Sequence, residues 1–249
     1  MFGSPSRDNP APRRASPWRR LIPGAVVAMM LVGAGGAAAG QRLHWGLFSA
    51  VLVAALLLTG FTLVERRRFP VRELALVATL AGLAAAARLP FAGLPGVQPT
   101  TFLTIVSGVA LGPWAGFTVG ATAGAVSNFF LGQGPWTPWQ MLGWGLAGAG
   151  AGALGRILHL HHPWALAFYG LAWGYLYGWL VNLWVWTSAF YPLTMESFLA
   201  VQALSFGFDT AHALANFVFC LVFGREVLKI LGRFRDKLVA HAWPGHNNE

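Results

Sequence analysis

Near the C-terminal end of the chain, Gln202, Asp209, His212 and Asn216 interrupt a long apolar stretch at intervals of seven, three and four residues. On a helix the last three share a face. An aspartate beside a histidine can serve as an acid–base pair, the carboxylate fixing which imidazole nitrogen holds the proton. The same row can instead grip a polar ligand or join helices through internal hydrogen bonds. Ionisable groups set in an apolar span are costly and face inward, which makes the row a functional candidate.

A second concentration of polar and rigid residues lies between Arg88 and Gln140. It begins RLPFAGLPGVQPTT and ends NFFLGQGPWTPWQ, with two apolar helical stretches between. Pro90, Pro95 and Pro99 forbid a continuous helix after Arg88, and Gln98, Thr100 and Thr101 offer amide and hydroxyl groups as the next helix begins. Arg88 itself suits an anionic or carbonyl oxygen of a ligand, or a lipid phosphate reached by snorkelling. Asn128 closes the second helix, where a buried amide must be partnered or lose about 1–3 kcal/mol. In GQGPWTPWQ, Trp136 and Trp139 suit an aromatic belt. Their neighbours Gln133 and Gln140, set among paired glycines and prolines, add what a pocket for a planar, partly polar molecule needs: apolar walls and a few oriented hydrogen bonds. Asn182, in an aromatic stretch, is a further inward-facing candidate.

The elements that must carry these residues follow from composition. The chain has 249 residues, 56% hydrophobic and 10% charged, too apolar for an ordinary soluble domain. Apolar stretches at 21–39, 43–64, 71–88, 100–111, 114–131, 137–155, 164–187 and 202–224 read as eight helical spans, against the ~20 residues that cross a bilayer. The expected fold is all-α, a polytopic membrane bundle. Fifteen of the 17 Lys and Arg residues fall on one side of this topology, and only Arg42 and Arg88 on the other, so both termini are expected to be cytoplasmic in the cell membrane. Residues 1–20 read as a disordered cytoplasmic tail, 21–64 as a transmembrane hairpin whose first span is retained, 65–224 as a six-helix core, and 225–249 as a basic cytoplasmic tail continuing as an amphipathic helix. Small residues at four-residue spacing (Ala78, Gly82 and Ala86, with Ala81 and Ala85 beside them; Gly116, Gly120 and Gly124; Gly143, Ala147, Ala151 and Gly155) mark faces for close helix packing.

Several chemistries are excluded. There is no phosphate-binding G-x-x-x-x-G-K-[ST] loop, no H-E-x-x-H pair and no G-x-S-x-G elbow. The lone Cys220 gives no disulfide framework, and His159, His161 and His162 read as a solvated turn rather than a metal site. No cofactor is expected. The +9 charge is accounted for by topology, with membrane lipid headgroups as its partners and no nucleic acid.

SNFFLGQGPWTPWQM, GLPGVQPTT and FDTAHALANFVF resemble the substrate-binding S component of energy-coupling-factor vitamin transporters, over roughly residues 71–224. The likeness is greatest to the S components of the cobalamin or corrinoid type. It implies a six-helix core that captures a vitamin at the outer face, and it implies partners: a membrane-embedded T component and two ABC ATPase subunits. It further implies a substrate site drawn from Arg88, Gln98, Thr100, Asn128, Gln133, Trp136, Trp139, Gln140, Asn182, Asp209, His212 and Asn216. In that family a helix at the place of 71–88 meets the T component, which makes Ala78, Ala81, Gly82 and Ala85 docking candidates; packing within the chain is the alternative. Two other functions remain open on the residues alone. One is a membrane enzyme using Asp209 and His212 on a lipid-linked substrate, and the other is a stand-alone secondary transporter.

Overall fold

The structure is a computed structural model, and it describes residues 45–65 and 70–242. The predicted first span, the N-terminal tail and residues 243–249 lie outside the described residues. Within them the chain is helical throughout, with no strand: α1 (Trp45–Glu65), α2 (Val71–Arg88), a short 3-10 turn (Leu89–Phe91), α3 (Thr100–Leu111), α4 (Pro113–Leu131), α5 (Thr137–Leu154), α6 (Pro163–Ala189) and α7 (Met195–Ala242). Among the described residues one helical stretch, Val71–Phe91, is long and apolar enough, by length and composition, to cross a membrane; Val53–Thr62 and Thr100–Leu111 are shorter apolar stretches.

Proline and glycine set the helix ends. Pro113, Pro138 and Pro163 each occupy the first turn of a helix, where a missing N–H costs nothing. Gly112 (φ 97°) closes α3 and starts α4, and Gly132 (φ 110°) ends α4; both conformations strain a residue with a Cβ.

The small-residue faces bring backbones together. A Cβ on Gly148 of α5 would collide with the backbone of Gly116 in α4, and one on Gly108 of α3 would strike the Gly148 carbonyl. Three helices therefore meet at contacts that only glycine permits. The row beside it, Gly143, abuts the ring of Tyr177 in α6. A further glycine row, Gly170, Gly174 and Gly178, lets α6 lie directly on α7 at Cys220, Ala213 and Asp209. The main core runs through α2–α7 and includes Val77, Ile105, Val119, Ala147, Leu166 and Cys220. A second cluster joins Val53 and Leu57 of α1 to Phe117, Ala121 and Trp139.

Two expectations change. Ala81 and Ala85 are buried at 2% and 3% exposure, so they pack inside the chain and cannot meet a partner. Ala78 and Gly82 stay on the open face, where a Cβ on Gly82 would touch nothing within 4 Å. The basic segment after 224 is helical as expected, but its apolar face packs on the core and it is one with the last span: α7 runs unbroken for 48 residues, about 72 Å at 1.5 Å per residue. No Gly–Pro pair breaks it, and Leu231 is buried in the main core while Arg235 Nη1 reaches the Ala110 carbonyl at the end of α3 (3.5 Å).

Candidate functional site

The C-terminus of α2, the N-termini of α3 and α5 and the C-terminus of α4 meet at one end of the bundle, and Arg88 ties them together. Its Nε donates to Gln98 Oε1 (2.8 Å), and its Nη1 donates to Ser127 Oγ (2.9 Å) and Asn128 Oδ1 (2.7 Å). The guanidinium carbon lies 4.8 Å from the centroid of the Trp144 ring, a cation–π arrangement. Asn128 uses its other end as well: Nδ2 donates to Thr137 Oγ1 (2.9 Å) and Gln140 Oε1 (2.8 Å). One arginine and one asparagine thus join the loop after α2 to the loop after α4.

A second chain of hydrogen bonds runs beneath. Trp144 Nε1 donates to Thr101 Oγ1 (2.9 Å), which lies 3.1 Å from His212 Nε2, while His212 Nδ1 lies 2.8 Å from the Gly96 carbonyl. A carbonyl only accepts, so the proton sits on Nδ1; Nε2 is then the acceptor for the Thr101 hydroxyl. Both nitrogens of this fully buried ring are satisfied in its neutral form. Gly96 adopts φ 76°, and a Cβ there would press on the Phe208 carbonyl and the His212 backbone nitrogen.

Asp209 belongs to a different group. Its Oδ2 accepts from Ser205 Oγ (2.7 Å) and from Asn182 Nδ2 (3.5 Å), and Asn182 Nδ2 also donates to Gln202 Oε1 (2.9 Å) and Ser205 Oγ (2.7 Å). The Asp209–His212 pair expected from the spacing is not formed. Three residues along a helix leave two side chains about 60° apart around the axis. That turn is enough to send Asp209 toward Asn182 on α6 and His212 toward Thr101 on α3.

Between these groups lies a partly open cavity of about 390 Å³. Arg88, Gln98, Gln140, Tyr177, Asn182 and Asp209 give it polar walls, and Phe91, Leu94, Val181 and Phe208 give it apolar ones. Of the candidates from sequence, Arg88, Gln98, Gln140, Asn182 and Asp209 line it. Asn128 and His212 stand behind that lining and hold it. The others lie elsewhere. Thr100 is buried with its hydroxyl donated to the Ala84 carbonyl (3.1 Å), and Gln133 donates to the Ala125 carbonyl near the end of α4 (3.0 Å). Trp136 folds over Gly134 and is 37% exposed, whereas Trp139 is buried against α1. Asn216 is wholly buried deeper along α7, and neither its side-chain oxygen nor its nitrogen has a partner among the described residues.

Tyr177, Trp144 and Ser205 were missed by sequence reasoning. Ser205 stands four residues before Asp209, on the same face, and the four-residue run Gly170, Gly174, Gly178, Asn182 marks the inner face of α6 beside Tyr177. Among the described residues no three His, Cys, Asp or Glu side chains are grouped to hold a metal. No family model, curated protein or solved structure matches the chain.

Proposed function

We propose that this chain is a membrane-embedded substrate-capture subunit, an S component of an energy-coupling-factor importer, which takes a vitamin-type micronutrient from outside the cell. The observation that carries the reading is the cavity at one end of the bundle. It is roofed by the loop after α2 and by Leu131 and Gln140 on the helices that flank the second loop, with its polar groups braced from behind by Asn128 and His212. Its size lies within the ~300–1,000 Å³ of small-molecule pockets, and its make-up, apolar walls with a few fixed polar groups, is theirs too. Pre-organised contacts of this kind suit capture.

The membrane setting rests on the outer surface of the bundle. Leu58, Leu83, Phe129, Trp179, Leu204 and Val222, from five of the helices, are each more than half exposed. A soluble monomer rarely leaves apolar surface on that scale. The acid–base enzyme reading loses its main support, because Asp209 and His212 hold different partners. Energy would come from the T component and two ABC ATPase subunits, since this chain has no phosphate-binding loop.

Uptake of labelled vitamins by cells tests the reading. Cells expressing this chain with a T component and ATPases should accumulate a vitamin, and cells lacking the ATPases should bind it without accumulation. Uptake that survives without any ATPase would identify a stand-alone carrier instead.

A further inference from the structure

The cavity is lined by two opposite charges, and neither is neutralised among the described residues. Among the described residues no carboxylate oxygen lies within 4.0 Å of the Arg88 guanidinium. Its partners are neutral oxygens from Gln98, Ser127 and Asn128, and they engage only Nε and Nη1. The two N–H groups of Nη2 are left over. Among the described residues Asp209 likewise meets no cation: Oδ2 accepts from a hydroxyl and an amide, and Oδ1 has no partner. Tyr177, whose ring borders the same space, is 5% exposed, and its hydroxyl has no hydrogen-bond partner among the described residues.

Charges and hydroxyls held away from bulk water are costly unless something complements them. A singly charged guest would satisfy one wall and leave the other uncompensated. A guest with both kinds of group satisfies both at once. The walls between, Phe91, Leu94, Val181 and Phe208, suit a ring or short chain as its body. At about 390 Å³ the space is near the lower end of ligand pockets, too small to enclose a corrinoid macrocycle.

We infer that the molecule taken by this cavity is compact and dipolar, with a carboxylate or similar anionic group facing Arg88 and Tyr177, a cationic or N–H-bearing group facing Asp209, and no more than one or two rings between. The inference rests on the capture reading for the same site.

Thermal unfolding of the full-length protein in detergent, with five probes, tests it. Biotin and pyridoxamine carry both kinds of group, nicotinate carries only an anion, thiamine only a cation, and cyanocobalamin is the large neutral control. At least one dipolar probe should stabilise the protein, with nicotinate and thiamine at least tenfold weaker. Asp209→Asn should narrow that preference over nicotinate, and Tyr177→Phe should weaken the dipolar probe while leaving thiamine's standing unchanged. Equal stabilisation by nicotinate or thiamine, or an unaltered ranking in Asp209→Asn, would overturn the inference. Stabilisation by cyanocobalamin alone would overturn it and leave the capture reading intact. No stabilisation by any of the five would count against both.

Discussion

Arg88 and Asn128 lie forty residues apart, at the ends of two different helices, and their side chains meet at 2.7 Å. The contact brings the loop after α2 and the loop after α4 into one assembly, because Asn128 passes the connection on to Thr137 and Gln140. Removing the amide leaves a guanidinium N–H and the Gln140 carbonyl oxygen without this partner. Asn128→Ala should lower stability by about 1.5–3 kcal/mol, the range for a hydrogen bond to a charged group. Ligand affinity should fall roughly tenfold, because the roof of the cavity loses its brace. Unfolding midpoints and binding isotherms in detergent measure the two effects separately.

The buried relay from Trp144 through Thr101 to His212 predicts an unusually costly near-isosteric change. Thr101→Val keeps the shape but leaves the Trp144 N–H and His212 Nε2 without partners. At about 1–3 kcal/mol for each unsatisfied group, the variant should be destabilised by about 2–6 kcal/mol. Thr100→Val, one residue earlier, removes one hydroxyl that only donates to a helix carbonyl, and should cost less. Comparing their midpoints decides whether the relay is as strained by the loss as its geometry implies.

The open and buried rows of α2 should respond oppositely to bulk. Ala81→Trp forces a large ring into a site with 2% exposure and should destabilise by more than the ~1–3 kcal/mol typical of overpacking. Gly82 lies on the open face, where a Cβ meets nothing within 4 Å, so Gly82→Trp should fold. If a T component docks on that face, Gly82→Trp should bind vitamin normally and fail to co-purify with it. Normal co-purification would place docking elsewhere.

A chain beginning at Glu65 should not keep full stability. Val53 and Leu57 of α1 bury themselves against Phe117, Ala121 and Trp139. Each fully buried side chain of that kind contributes about 1.5–3 kcal/mol, and the truncation also uncovers Trp139, one residue before the cavity-lining Gln140. A lower unfolding midpoint is expected, and an unchanged one would show that α1 is merely appended.

Helix positions were legible in the sequence because punctuation is local. Proline at a first turn and glycine with positive φ mark the boundaries at Gly112, Pro113 and Gly132, and the predicted 100–111 and 114–131 stretches agree with α3 and α4 to within a residue. The helical continuation of the basic segment after 224 was legible from its amphipathic pattern; that its apolar face, here Leu231, meets the core was not, because the pattern does not say what that face packs against. The inward direction of Asp209 was legible from its apolar setting. Its partners were not, because Asn182 lies on another helix and spacing along one helix says nothing of which neighbour each face meets. Arg88 was ambiguous for the same reason: only the fold sets it beside Ser127 and Asn128 rather than lipid.

The central claim is that the bundle sits in the membrane with its cavity open to the outside. Cys220 is fully buried, so single cysteines can be introduced at Leu94, 53% exposed beside the cavity, and at Glu226, exposed on α7, 17 residues beyond the cavity-lining Asp209. A membrane-impermeant maleimide applied to intact cells should label Leu94→Cys, and should label Glu226→Cys only after permeabilisation. Labelling of Glu226→Cys but not Leu94→Cys on intact cells would turn the cavity to the cytoplasm and contradict the account.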